Sequence, residues 1–242
     1  MKDILQDVVA KTHSLGFLSL VKITSENEAT TIESMAEDRS VILNSTTHNA
    51  VSEFNGTFGM PNLDKLALHL KNPEYQKDAK IDVVKAERNG ETIPTHIHFE
   101  NTTGDFENDY RFMNKQIIEK LKSVKFKGAS WNVTFQPSMA SIARMKLQSA
   151  AHSEEPTFNV KTDNGDLVFS FGDASTHAGN FVFEAGVEGT LAHSWSWPVA
   201  QVQAILNLDG EITMSISDQG AMQISVDSGM AKYDYILPAQ SK

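Results

Sequence analysis

The segment VTFQPSMASIARMKLQS (133–149) passes from an alternating strand pattern, through a proline, into a helical pattern. The same order recurs in TFGMP (57–61), which precedes residues 62–71, and in WSWP (195–198), which precedes residues 199–207. Proline suits the first turn of a helix because its missing N–H would have no partner there. The sequence therefore predicts three helices with a common beginning, and residues 2–14 predict a fourth at the start of the chain.

All four predicted helices are short and have one apolar face, which is typical of helices that lie on a sheet. The side chains predicted to face the sheet are Ile4, Leu5, Val8 and Val9; Leu63, Leu66, Ala67 and Leu70; Met139, Ile142, Ala143 and Leu147; and Val199, Val202, Ile205 and Leu206.

Most of the remaining chain alternates between apolar and polar residues, with turn pairs such as Asn164-Gly165 and Asp209-Gly210 between the runs. This pattern predicts short antiparallel strands. Helix followed by strands occurs four times, arranged as two pairs, and a repeat of this kind usually sets the architecture. We predict an α+β protein with two similar domains, 1–110 and 128–242, joined by 111–127. The alternative is one β-rich domain with scattered helices.

The composition excludes several classes of protein. The 242 residues contain no cysteine, which rules out disulfides, thiolate metal sites and cysteine nucleophiles. A formal charge of −10 argues against a uniformly basic nucleic-acid coat. No apolar run approaches the roughly 20 residues of a membrane helix. The N-terminus has acids among its first residues and no long apolar core, so it does not resemble a signal peptide. We expect a cytosolic protein that does not contact a membrane.

The basic residues are concentrated in a few segments. Residues 111–127 carry six cations and one acid, whereas 128–242 has five basic and twelve acidic residues, with two of the five on one predicted helix. Basic helices on an acidic body would attract phosphate without reading sequence. The same pattern also fits ordinary solvated helix faces.

Three further segments carry a resemblance to a known family: NDYRFMN (108–114), VKFKGASWNVTFQP (124–137) and Tyr-x-Tyr-Ile-Leu-Pro (233–238). With the helix–strand repeat, they resemble the DNA sliding clamps, and more narrowly the processivity clamp of T4-type phages. The resemblance implies a homotrimeric ring of sliding-clamp-like domains, each with antiparallel sheets outside and two helices inside. Such a ring encircles duplex DNA, tethers the replicative DNA polymerase and is opened by a clamp-loader ATPase. It uses no cofactor, catalyses no reaction and acts in the cytoplasm of an infected bacterial host.

The resemblance also assigns site residues. The side chains implied to face DNA are Lys2, Lys11, Lys65, Lys71, Arg144 and Lys146. Helix 199–207 departs from the family pattern, since it offers only Gln201, Gln203 and Asn207. The residues implied to line a pocket for partner peptides are Tyr235, Ile236, Leu237 and Pro238, although a last strand packing into its own core explains them equally well. In the linker, Ile117, Ile118, Leu121 and Val124 have helical spacing.

Two other hypotheses stay open at this point. A ring-forming structural protein of a virion tail or neck would also be β-rich, acidic and free of cysteine. A metal-dependent hydrolase could use His96 and His98, which lie on one face of a strand, but no motif supplies a third ligand.

Overall fold

Three of the helices begin one or two residues after a proline. The computed structural model describes residues 1–26, 29–88, 90–121, 126–173, 175 and 177–240. Its α-helices are α1 (Lys2–Lys11), α2 (Leu63–Lys71), α3 (Lys115–Ile118), α4 (Met139–Ala151) and α5 (Val199–Leu206). Pro61 and Pro137 precede the N-cap residues, and Pro198 is itself an N-cap. The prolines thus lie outside the first turn, and Pro198 still pairs with Thr157 on the neighbouring strand.

The first set of strands forms two antiparallel sheets. The strands are β1 (Val21–Glu26), β2 (Ala29–Met35), β3 (Ile42–Thr47), β4 (Gly56–Met60), β5 (Lys80–Arg88), β6 (Glu91–Glu100) and β7 (Glu107–Arg111). β1 to β4 lie in the order β4-β1-β2-β3, because β4 returns to pair with β1. β5, β6 and β7 form a meander in chain order.

The second set repeats this topology. Its strands are β8 (Val133–Phe135), β9 (Thr157–Asp163), β10 (Asp166–Phe171), β11 (Gly179–Glu184), β12 (Trp195–Pro198), β13 (Glu211–Ser217), β14 (Ala221–Asp227) and β15 (Ala231–Pro238). β12 returns to pair with β9, as β4 does with β1. β13, β14 and β15 succeed one another in their sheet, as β5, β6 and β7 do. The predicted repeat is confirmed, and the single-domain alternative is not.

The chain divides into two compact units. One comprises Met1–Val124 with Ser228–Tyr233, and the other comprises Lys125–Asp227 with Asp234–Lys242. The domain boundaries predicted from sequence, 1–110, 111–127 and 128–242, stay a prediction. Among the described residues, no helix is long and apolar enough to span a membrane.

Aromatic side chains fill both cores. In the first unit the Phe58 and Phe112 rings stack with centroids 4.3 Å apart. In the second, Phe169 and Phe183 stack at 4.1 Å, and Trp197 is fully buried, with its indole N–H donating to the Leu237 carbonyl at 3.2 Å. Trp197 therefore serves core packing.

The beginning of the predicted linker packs on the first unit. Met113 and Gly59 exchange backbone hydrogen bonds of 2.8 Å, and buried Ile118 of α3 lies over Gly59. A Cβ at Gly59 would lie 3.0 Å from the Ile118 Cδ1 atom, so a larger residue would require the Ile118 side chain to shift by a few tenths of an ångström. Helical spacing in the linker was therefore a correct signal for α3, although Val124 lies outside the described residues.

Candidate nucleic-acid interface

In each unit the two longer helices lie side by side. α1 packs on α2 in the first unit, and α4 packs on α5 in the second. The Gln203 side-chain amide of α5 donates to the Met145 carbonyl of α4 at 3.4 Å and to the Ser149 hydroxyl. Each unit therefore presents a pair of adjacent helices, and the side chains on their outer faces decide what the pair can bind.

α2 has the predicted amphipathic arrangement. Leu63, Leu66, Ala67 and Leu70 are buried. Lys65 and Lys71 are exposed, which a DNA-facing role requires, and Asp64 is exposed beside them. The leucine at position 68 lies on the same outer face and is 69% exposed.

α4 is oriented differently from the sequence prediction. Ser141, Ile142 and Met145 are buried, whereas Met139 is 80% and Leu147 is 73% exposed. The expectation that Met139, Ala143 and Leu147 face the sheet was wrong. α4 carries apolar residues on both sides, so spacing alone could not select the inner one.

The two cations of α4, Arg144 and Lys146, are exposed as predicted. The helix contains no acidic residue that would oppose them. The Ser138 hydroxyl accepts the Ser141 N–H at 3.0 Å and caps the helix. α4 therefore offers a net positive outer surface in a unit whose strands and loops hold all its acids.

α1 contributes less than the resemblance implied. The Lys2 ammonium donates to the Tyr75 carbonyl at 2.8 Å and to the Gln76 side-chain oxygen at 3.1 Å, so it already has partners within the unit. Lys11 is only 4% exposed. Because a buried ammonium group cannot reach a phosphate outside the protein, we remove Lys11 from the candidate interface.

α5 is uncharged, as the sequence indicated, and only Ala200 and Asn207 on it are well exposed. Among the described residues of these four helices, the exposed cations are two on α2 in the first unit and two on α4 in the second. These residues, which we call the helix cations, are Lys65, Lys71, Arg144 and Lys146.

The proposed peptide-pocket residues lie mostly in the core. Tyr235, Ile236 and Leu237 are buried, and Pro238 is exposed. The reason is the docking of the tail on its own unit: the Ala239 N–H donates to the Gly220 carbonyl at 2.8 Å. Three of the four residues therefore act in packing, which was the alternative explanation, and only Pro238 offers a surface.

The linker keeps an exposed mixed surface. Ile117 and Leu121 are half exposed, and Lys115 and Lys120 lie beside them in the sequence and are exposed. Lys122 and Lys125 lie outside the described residues.

The two histidines lie in an ionic network on the outer face of the β5–β7 sheet. His98 Nδ1 is 2.9 Å from Asp109 Oδ1, and this hydrogen bond raises the His98 pKa, with Glu100 and Glu107 adding to the effect. Burial lowers the pKa of His96. No group of three or more His, Asp or Glu side chains in the described ranges could hold a metal ion. The network therefore gives the hydrolase hypothesis no support.

Sequence reasoning missed the exposed apolar side chains of the helices. Leu68 could have been recognised, because it falls outside the buried series at positions 63, 66, 67 and 70. Met139 and Leu147 could not be recognised in this way, since α4 itself carries apolar residues on all its sides.

Comparison with solved structures reveals similar folds over the whole chain. A PCNA from Thermococcus kodakaraensis superimposes with a TM-score of 0.69 at 10% identity, over 99% of this chain and 97% of the other. Proliferating Cellular Nuclear Antigen from Entamoeba histolytica gives 0.65 at 10% identity, over 99% and 94%. A. fulgidus PCNA, in a structure with the C-terminal region of FEN-1 bound, gives 0.65 at 12% identity, over 100% and 95%.

The likeness is one of fold. No protein-family model and no curated protein matches the sequence. The chain nevertheless has a sliding-clamp-like fold, with antiparallel sheets and few helices, as the resemblance implied.

Proposed function

We propose that the chain is the subunit of a DNA sliding clamp, a ring that encircles duplex DNA and tethers the replicative DNA polymerase. The observation that carries this proposal is the agreement with clamp structures over essentially the full chain, both units included. Fold alone does not define function, so the proposal also needs support from the surface chemistry.

The charge distribution supplies that support. The chain has a formal charge of −10, yet the helix cations Lys65, Lys71, Arg144 and Lys146 lie on exposed helix faces. A few phosphate contacts of this kind give weak, salt-dependent attraction without sequence reading. An acidic remainder keeps other surfaces from adhering to DNA. This combination suits a ring that must stay on the duplex and still slide.

The internal repeat suggests how copies join. In the first unit β3 adjoins the beginning of β15, where the His48 N–H donates to the Met230 carbonyl at 2.8 Å. In the repeat, β11 corresponds to β3 and β7 corresponds to β15. β7 and β11 each end a sheet in the described part of the chain. We infer that β11 of one copy pairs with β7 of the next, a head-to-tail contact that can close a ring.

The finer assignments rest on the resemblance stated above. They are a homotrimer, a clamp-loader ATPase, an origin in a T4-type phage and action in the cytoplasm of the infected host. The linker surface at Ile117 and Leu121 offers partner proteins more exposed apolar area than the C-terminal strand does.

The decisive experiment combines mass with topology. Light scattering on the purified protein should give three times the chain mass of 26.7 kDa, and small-angle X-ray scattering should show a hollow particle. On a linear duplex whose two ends are blocked after the protein has been added, the ring should be retained, and it should be released once one end is unblocked. A compact monomer at high concentration, or retention that ignores the ends, would refute the clamp. Copurification with phage particles would favour the structural virion protein instead.

A further inference from the structure

Two helices share an exposed arrangement that core packing does not explain. In α2, Lys65 precedes Leu68 by three positions, and in α4, Arg144 precedes Leu147 by three positions. Residues three apart are neighbours on a helix surface. Both leucines are about 70% exposed, at 69% and 73%. Each helix therefore presents an exposed leucine next to a cation.

The pattern did not arise from the internal repeat. α2 corresponds to α5 in the topology, and α4 corresponds to α1. The equivalent helices show nothing comparable: α5 has no charge, and the exposed residues of α1 are Asp3, Gln6 and Ala10. Two unrelated positions have thus acquired the same pair of side chains, which argues for a shared ligand.

On α4 the leucine belongs to a wider apolar surface. Met139, Ala143 and Leu147 succeed one another at intervals of four residues and are all exposed, so they form one stripe along the helix. Arg144 and Lys146 border this stripe on its two sides, at the 100° per residue of a helix. An outer face that is apolar in the middle and cationic at both margins is complementary to a polyanion with apolar groups between its charges.

We propose that Leu68, Leu147 and Met139 contact the deoxyribose edges of duplex DNA while the neighbouring cations contact the phosphates. This inference rests on the proposed function and specifies its DNA-binding surface. Sugars and phosphates carry no sequence information, and aliphatic side chains form no hydrogen bonds with base edges. The stripe thus adds attraction that is independent of salt and of sequence, which the cations alone do not provide.

Charge selects DNA over a protein partner as the occupant. α4 has no acid, and Asp64 is the one acid of α2, against Lys65 and Lys71. Duplex DNA offers sugars bounded by phosphates along its whole length, whereas this chain has an exposed apolar side chain between two exposed acids at Phe106, beside Asp105 and Glu107.

The absence of cysteine makes a direct test possible. Leu68→Cys and Leu147→Cys, each labelled with a benzophenone maleimide, are irradiated with a linear duplex blocked at both ends after the protein has been added. Val168→Cys, on the less buried face of β10 in the second unit, is the matched control. We expect crosslinks to DNA from positions 68 and 147 at least about tenfold above position 168.

A second measurement separates apolar contact from charge. Leu147→Ala should weaken duplex binding about three- to tenfold, as expected for the loss of a few buried methyl and methylene groups, with an unchanged salt slope. Arg144→Ala should instead flatten the slope by about 0.9 for each phosphate that the variant no longer neutralises. Because position 147 is exposed, Leu147→Ala should fold normally, which circular dichroism checks.

The outcomes distinguish this inference from the proposed function. If the ring is retained on blocked duplex but positions 68 and 147 crosslink no better than position 168, the inference is overturned and the clamp stands. Crosslinks from position 147 to a second protein chain overturn it equally. If blocked ends retain nothing, both fail.

Discussion

Asp7 on α1 and Tyr233 on β15 are joined by a 2.8 Å hydrogen bond from the tyrosine hydroxyl to Asp7 Oδ2, although 226 positions separate them. The Ser228 hydroxyl donates to the same oxygen at 2.8 Å. All three residues belong to the first unit, and both Asp7 and Tyr233 are buried. Since a buried carboxylate requires donors, these bonds hold segment 228–233 on the first helix.

Removal of the tyrosine hydroxyl should therefore destabilise the first unit. We expect Tyr233→Phe to lower the free energy of unfolding by about 1–3 kcal/mol, because a buried carboxylate loses a donor. Urea unfolding measures the change. Ser40→Ala is the control, since its hydroxyl bonds exposed Asp38 and its loss should cost under about 0.5 kcal/mol. Equal stability of Tyr233→Phe and the wild type would show that the bond does not hold the segment.

Charge reversal of the helix cations should abolish retention on DNA. Arg144→Glu with Lys146→Glu replaces attraction by repulsion on α4, and the slope of log K against log salt should fall by about 0.9 for each phosphate no longer neutralised. Lys161→Glu, on an exposed position of β9 in the same unit, reverses the sign of one charge in the same way and should leave retention unchanged. If both variants behave alike, the effect is one of net charge and α4 does not face DNA.

Lys11 tests whether burial or the family resemblance decides which lysines contact DNA. The resemblance implied a DNA contact, but its side chain is 4% exposed. Lys11→Gln should therefore leave the salt slope of DNA binding unchanged, whereas Lys65→Gln should flatten it. Parallel titrations of the two variants check this difference, and a flattened slope for Lys11→Gln would mean that α1 exposes its lysine on DNA.

The β5–β7 network predicts a pH dependence with opposite contributions from two histidines. Asp109 raises the His98 pKa in the folded state, so His98 stabilises the fold fully below its unfolded pKa of about 6.5 and loses this effect as pH rises through the folded value. Burial lowers the pKa of His96 in the folded state. The stability that this group contributes is therefore fully present above its unfolded pKa of about 6.5 and is lost as pH falls through the lower folded value. The Arg111 charge also lowers the pKa of His96.

Substitution should separate these contributions. Relative to the wild type, His98→Gln should lower the free energy of unfolding more near pH 5.5 than near pH 8, because it removes a stabilisation that is present at acid pH. His96→Gln should have the opposite pH dependence: the free energy of unfolding of the variant, relative to that of the wild type, should be higher near pH 5.5 than near pH 8. Denaturant unfolding between these pH values measures both, with Lys115→Gln, at an exposed position outside the network, as a control. Parallel pH profiles for the two histidine variants would contradict the assignment.

Local sequence patterns predict the positions of the helices better than they predict which face of a helix is buried. Proline behind an alternating strand is local chemistry, and it located α2, α4 and α5 correctly. The inner face of α2 was also predictable, since Leu63, Leu66, Ala67 and Leu70 form one stripe and only Leu68 falls outside it. α4 has apolar residues all round, so its orientation follows from tertiary packing.

Burial of single polar or aromatic residues was also out of reach from sequence. Lys11 and Tyr235 lie where a sequence pattern allows either exposure or burial, and only long-range packing buries them. The bond between Asp7 and Tyr233 joins the two ends of the chain, and no local pattern reports such a contact.

The inferred contact between copies can be tested with disulfides, because the chain has no cysteine of its own. Asp109→Cys on β7 is combined in turn with Asn180→Cys, Val182→Cys or Glu184→Cys on β11. If β7 and β11 pair, one of these registers brings the two Cα atoms within the roughly 4.4–6.8 Å that a disulfide requires. Oxidation of that variant should then give covalent oligomers ending at the trimer, because a closed ring leaves no free edge. Each single variant, and Asp109→Cys with Ser40→Cys, should give no such series. If every β7–β11 pair stays monomeric after oxidation while light scattering still shows a trimer, the ring closes through other strands.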